Sequence, residues 1–185
     1  MTEIPGYVAG TWDVDPVHSE VAFTVKHMMV SKVRGRFDKF EAVIVTAENP
    51  ADSSVTASVD MASINTGNEQ RDGHIRSADF FEVEKYPVMT FASTGMRDVK
   101  ADGFLLDGDL TIKGVTNPVT FEVEINGIGP DAYGSTRIGF SAQATINRGD
   151  FGVEFNGPIP GAPGGVILSE KVTVSLEIAG VLRQG

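Results

Sequence analysis

The sequence contains no cysteine, which excludes a disulfide, a zinc–thiolate site, an iron–sulfur cluster and a thiol nucleophile. It is also short of positive charge. Lys+Arg 15 against Asp+Glu 25 leave a formal charge of −10, which repels nucleic acid and anionic membranes wherever no local basic patch overrides the average. No apolar run approaches the roughly 18 to 20 residues of a membrane helix, and residues 1–11 have neither a basic nor an apolar leader segment. These absences lead us to expect a cytoplasmic protein with no nucleic-acid partner and no stable membrane insertion. What is present is ordinary for a globular chain: 185 residues, 41% hydrophobic and 22% charged. At roughly 100 to 200 residues per domain this predicts a single domain spanning residues 1–185.

Apolar and polar residues alternate with period two along most of the chain, as in antiparallel strands with one wet face. Over residues 17–28, Val17, Val21, Phe23, Val25 and His27 share one face, with His18, Glu20, Thr24 and Lys26 on the other. The same comb recurs at Val55, Ala57, Val59 and Met61, and at Phe104, Leu106, Leu110 and Ile112. It returns at Val119, Phe121, Val123 and Ile125, at Ile138, Phe140, Ala142, Ala144 and Ile146, and at Val172, Val174, Leu176 and Ile178. Residues 37–46 and 86–94 read as two further strands. Asp102-Gly103 and Asn126-Gly127 are hairpin-type pairs, and residues 113–118 break one strand from the next. With residues 12–15 as a short opener, about eight or nine strands result. Their sequential hairpins favour a closed barrel over a sandwich.

One segment reads as helical. Asn65 or Thr66 caps it, Asp72 and Arg76 stand at i and i+4, and the pattern runs to Phe80-Phe81. Residues 155–166, dense in glycine and proline, read as a long loop. A barrel of eight strands is either filled by its own side chains or holds one ligand. The inward faces mix Phe23, Phe37, Phe121 and Phe140 with Ala57, Gly108, Ala142 and Ala144, which fits both.

Several ordered stretches carry a resemblance: WDVDPVHSEVAF (12–23), VKHM (25–28), GRF (35–37), RDGHIRSADFF (71–81), Tyr86-Pro87, LTIKGVT (110–116) and NRGDFG (147–152). Together they resemble the YceI-like family over nearly the whole chain. That resemblance implies an all-β fold, an antiparallel eight-stranded extended lipocalin-like barrel with one short helical segment covering one side. It implies polyisoprenoid binding in an elongated lumen, no established reaction, no cofactor other than the lipid itself, and a homodimer by analogy. The expected function is non-enzymatic binding, storage or transport of a long-chain amphiphilic lipid such as an isoprenoid, isoprenoid quinone or prenyl diphosphate. Two alternatives stay open: a lipid isomerase or hydrolase using the same pocket, and a filled barrel acting through its surface as a stress-related interaction module. Many members carry a secretory signal, which residues 1–11 do not resemble, and the Gly/Pro stretch after Gly157 is longer than usual.

Strand parity nominates the lumen contacts: Val21, Phe23, Val25, His27, Phe37, Phe91, Leu110, Phe121, Val123, Phe140 and Ile146. Residues 26–39 hold Lys26, Lys32, Arg34, Arg36 and Lys39 against one acid, Asp38. From this cluster Arg34 and Arg36 are nominated to meet a phosphate head group at the barrel mouth, and the hairpin as a whole to touch an anionic membrane during lipid exchange or to be merely solvated. His18 and His27, nine residues apart, fall on opposite faces of a regular strand, so no metal site is expected. Asp13 with Asp15, and Asp107 with Asp109, have the i,i+2 spacing of an acid/base pair, and hydration is their commoner fate. The charges of residues 71–84 are expected to tie the helix to the barrel rim.

Overall fold

The computed structural model describes residues 3–28, 30–156, 158–159, 162–166 and 168–184, with backbone alone for 158–159 and 162–166. In chain order the strands are β1 (Gly10–Val14), β2 (Glu20–His27), β3 (Ser31–Phe37), β4 (Phe40–Thr46), β5 (Ser54–Asp60) and β6 (Ile64–Asn65). Helix α1 (Glu69–Arg76) follows, then β7 (Val88–Lys100), β8 (Gly103–Ile112), β9 (Val115–Pro130), β10 (Thr136–Asn147), β11 (Pro158–Ile159), β12 (Ala162–Val166) and β13 (Leu168–Leu182).

Eight of these strands close an antiparallel ring in the order β1, β4, β5, β7, β8, β9, β10, β13, with β13 returning to β1 through Trp12 opposite Leu182 and Val14 opposite Gly180. The earlier part of β13 pairs instead with β2, Val174 opposite Phe23. From there β3 and β6 extend the sheet beyond the ring. The expected eight-stranded extended barrel with one helix is therefore present.

Local chemistry accounts for where the elements differ from the sequence reading. The strand expected over residues 17–28 begins only at Glu20, because Pro16–His18 form a 3-10 turn capped by the Asp15 carboxylate, which accepts from the Val17 N–H. Val17 is consequently 83% exposed and off the inward comb. The pair Asn126-Gly127 is no hairpin. β9 runs through it with Ile125 opposite Phe140 and Gly127 opposite Gly139, so Asn126 is the extra residue of a β-bulge. Bulges bend strands around barrels. The turn comes later, at residues 131–135, where Asp131 accepts from the backbone N–H groups of Tyr133 and Ser135. The break expected over 113–118 is confined to Lys113 and Gly114, whose φ of 53° and 75° make a two-residue primed turn. Residues 37–46 divide at Asp38-Lys39 into β3 and β4, and the long loop at 155–166 contains the β11–β12 pair. Gly157 lies outside the described residues.

Helix α1 is shorter than expected and capped by Asn68, whose side chain accepts from the Arg71 N–H. Thr66, expected as a cap, is held by the helix instead. The buried Asp72 carboxylate accepts from its N–H at 3.0 Å and its hydroxyl at 2.5 Å. Arg71 donates to the Thr66 hydroxyl and carbonyl, each at 2.8 Å, and Arg76 to the Ala62 carbonyl at 3.0 Å. These bonds fasten α1 to the strand extension, the structural role expected of its charges.

One end of the barrel is stoppered by Trp12, which is 0% exposed and donates from Nε1 to the Thr46 hydroxyl at 2.9 Å, with Ile44 and Ile138 packed around it. The Tyr7 hydroxyl donates to the Ala47 carbonyl at the same end. Outside, Asp15 is bound by His18 and Arg137, and these hydrogen bonds hold its carboxyl at about 2, against an ordinary 3.8. It stays ionised across the neutral range as a structural clasp between the opening turn and β10.

Candidate functional site: an apolar cavity in the barrel

Inside the ring is a cavity of about 780 Å³. Its walls are the inward combs, and its character follows from period two: strands that put charge outside must put apolar groups inside. Phe23, Val25, Phe91, Phe104, Phe140, Ala142, Ile146, Val174 and Leu176 all line it, yet none is fully buried. Inward-facing side chains of a filled barrel lose essentially all their accessible surface; here the residual surface faces the void. Of the two packing readings, the barrel is the hollow one. The interior surface is nearly all hydrocarbon, so it favours an apolar ligand and offers water few partners.

Two glycines set the bore. A Cβ on Gly108 would lie 2.3 Å from Phe91 Cζ, and one on Gly35 2.4 Å from Phe23 Cζ. The rings lie flat against the wall only because no side chain stands there.

All eleven nominated contacts, Val21, Phe23, Val25, His27, Phe37, Phe91, Leu110, Phe121, Val123, Phe140 and Ile146, line this cavity. Arg34 and Arg36, the expected head-group residues, are not among its lining residues. Val33, Gly35 and Phe37 are the inward positions of β3, so the arginines between them point outside. Arg34 stands 3.8 Å from the Glu20 carboxylate, and Arg36 donates to Asp38 at 2.9 Å.

Polar groups reach the cavity at both ends: Tyr7, Thr46 and Ser53 beside Trp12, and a second group at the opposite end. His27 closes β2 there, opposite Leu168 of β13. Next to Leu168, the Ser169 carbonyl accepts from Arg148 Nε, while Nη1 donates to the carbonyls of Val153 and Phe155, each bond at 2.9 Å. The Phe155 ring then meets His74 of α1 and Phe80 at centroid distances of 5.0 Å. Asn68, Gln70 and Arg71 of the same helical segment complete the rim. Arg71 and Arg148 are the cationic lining residues that parity missed, since one lies on a helix and the other in a 3-10 turn. Both stand in motifs already singled out. Burial pulls the Arg148 pKa below the ordinary arginine value.

The carboxylates weighed as acid/base pairs are outside. Asp13 pairs with Arg183 at 2.7 Å, Asp15 with Arg137 at 3.0 Å, and Asp107 with Arg97 at 2.6 Å, none of them lining the cavity. His27 has no side-chain hydrogen-bond partner among the described residues, so no carboxylate orients it as a base. Nor do three metal-ligating side chains converge among those residues.

Comparison with known proteins agrees with this architecture. A model of the YceI-like domain matches residues 12–180. A UPF0312 protein of Staphylococcus aureus strain MSSA476 is 40% identical over 160 residues, covering 85% of this chain and 90% of the relative. The Campylobacter jejuni YCEI protein superimposes with a TM-score of 0.74 at 30% identity, over 86% of this chain and 90% of that one. BcnA of Burkholderia cenocepacia gives 0.77 at 26% identity, over 90% and 99%. A polyisoprenoid binding domain from Saccharophagus degradans shares the fold, at a TM-score of 0.70 and 19% identity over 95% of this chain and 100% of that one.

Proposed function

From the premise that the chain belongs to the YceI-like domain family, we propose that it binds a long-chain amphiphilic lipid, most simply a polyisoprenoid, with the tail in the barrel lumen. The hollow apolar lumen carries this reading. At about 0.8 kcal/mol per buried CH₂, a tail of modest length supplies ample gross affinity against the cost of ordering it. Selectivity falls to the few polar groups at the rim, where His27, Gln70 and Arg71 are within the lining. The similar fold of a domain described as polyisoprenoid binding supports the same ligand class. Storage or transport without chemistry is the reading consistent with a His27 that lacks an orienting carboxylate and with acidic pairs that lie outside. The test is mass spectrometry of organic extracts from gently purified protein, followed by loading with prenyl alcohols and diphosphates. We expect a stoichiometric lipid, or stoichiometric uptake on loading, recovered unaltered. No lipid in either sample would overturn the binding reading, and a chemically altered lipid would turn it into an enzyme.

A further inference from the structure

The β2–β3 hairpin has features that neither fold nor cavity requires. Lys26 and Lys32 are direct partners across the two strands, both on the outward face, and neither is in an ion pair among the described residues. Like charges directly opposite each other destabilise a sheet. At the tip, Val30 is 89% exposed and Met28 39% exposed, and Met28 has a left-handed φ of 52°, uncommon for a residue with a side chain. Apolar groups at the tip of a hairpin whose flanks are basic form an amphipathic prow. It also stands beside the cavity rim: His27, Val25 and Val33 of the same hairpin line the lumen. β3 pairs with β6 only at Arg36 and Phe37, so residues 31–35 have no strand on their second edge among the described residues.

We infer that this hairpin is a docking surface for an anionic lipid bilayer, with Lys26 and Lys32 against the head groups and Val30 and Met28 in the interface. Charge decides between a membrane and a protein partner. The apolar tip is too small to anchor a protein interface, which needs about 800 Å² per partner, whereas two or three lysines and a shallow apolar contact suit reversible membrane binding. The formal charge of −10 opposes this only at long range. The acids nearest on the hairpin are matched, with Glu20 facing Arg34 and Asp38 binding Arg36, and Glu170 of the stretch opposite Lys26 interacts electrostatically with Arg148. Beyond about 8 Å at physiological salt the remaining acids are screened. That docking serves lipid loading rests on the proposed binding function; the docking itself does not.

The experiment is flotation of the full chain on phosphatidylcholine vesicles with and without about one-third phosphatidylglycerol, at about 50 and about 300 mM salt. We expect binding at least about tenfold stronger to the anionic vesicles, largely lost at the higher salt. Lys26→Gln with Lys32→Gln should weaken it about tenfold, and Val30→Ser several-fold, while Lys100→Gln at the opposite end changes nothing. Relief of the like-charge pair should leave the double variant's melting temperature unchanged or raised, which separates docking from folding. Equal flotation on both vesicle types, or wild-type flotation of the double variant, overturns the inference. Lipid extraction from the same preparations keeps the two readings apart: vesicle binding without cargo leaves docking standing and removes the storage function, and cargo without vesicle binding does the reverse.

Discussion

Placing phenylalanine at Ala57 or Ala142 will cut uptake of a long prenyl lipid at least about tenfold while the barrel stays folded. Both alanines line the cavity, and Ala57 lies beside Phe91 across the β5–β7 pair. A ring directed into the lumen displaces several methylenes of a threaded tail. At about 0.8 kcal/mol each, four of them are worth about 3 kcal/mol gross; with roughly half offset by the freedom the tail regains, about one decade of affinity is lost. In a filled core the same change would force strain costing about 1 to 3 kcal/mol. Here it enters empty space, so the melting temperature should hold or rise. Titration with a solvatochromic lipid probe, alongside thermal melts of both variants, measures the two effects separately. Unchanged uptake in folded variants would mean that the lipid sits elsewhere.

Replacing Arg148 by methionine should destabilise the fold by about 3 to 5 kcal/mol, the largest effect expected from a single site. Its guanidinium is buried and satisfies the carbonyls of Ser169, Val153 and Phe155, joining the start of β13 to the segment after β10. Methionine fills much of the volume but leaves three acceptors without a donor, at about 1 to 3 kcal/mol for each that water does not reach. Lysine should not rescue it. A single ammonium on a flexible stem cannot reproduce the planar fork that reaches three carbonyls at once. Urea unfolding of the wild type and both variants provides the comparison, and a loss below about 1 kcal/mol in Arg148→Met would show that these carbonyls are solvated.

What was legible in the sequence was what period two controls. Combs such as 104–112 and 172–178 named both the strands and their inward residues, because each side chain's face follows from its place in the alternation. Where another interaction competes with the ladder, the alternation misleads. Val17 falls on the comb of β2, yet the Pro16 ring and the Asp15 cap turn the chain before the strand starts. Asn126-Gly127 has hairpin chemistry, but its hydrophobic neighbours continue into the next half of β9 and absorb it as a bulge. Charge singles out Arg34 and Arg36, whereas parity points them away from the face of Phe37 and Val33. Whether the lumen was filled could not be read, because it depends on how Gly35 and Gly108 let Phe23 and Phe91 lie along the wall. That is a question of volume across strands, beyond the order of residues within one. Arg71 and Arg148 reach the cavity from a helix and a turn, where strand parity has no reach.

A series of prenyl alcohols of increasing chain length asks whether the lumen takes up a hydrocarbon tail along a finite length. Affinity measured by calorimetry should climb with each added isoprene unit, accompanied by an increasingly negative heat capacity of binding. It should then level off once the lumen is full and further units remain in water. Affinity independent of chain length, with no heat-capacity trend, would mean that the tail does not enter the lumen.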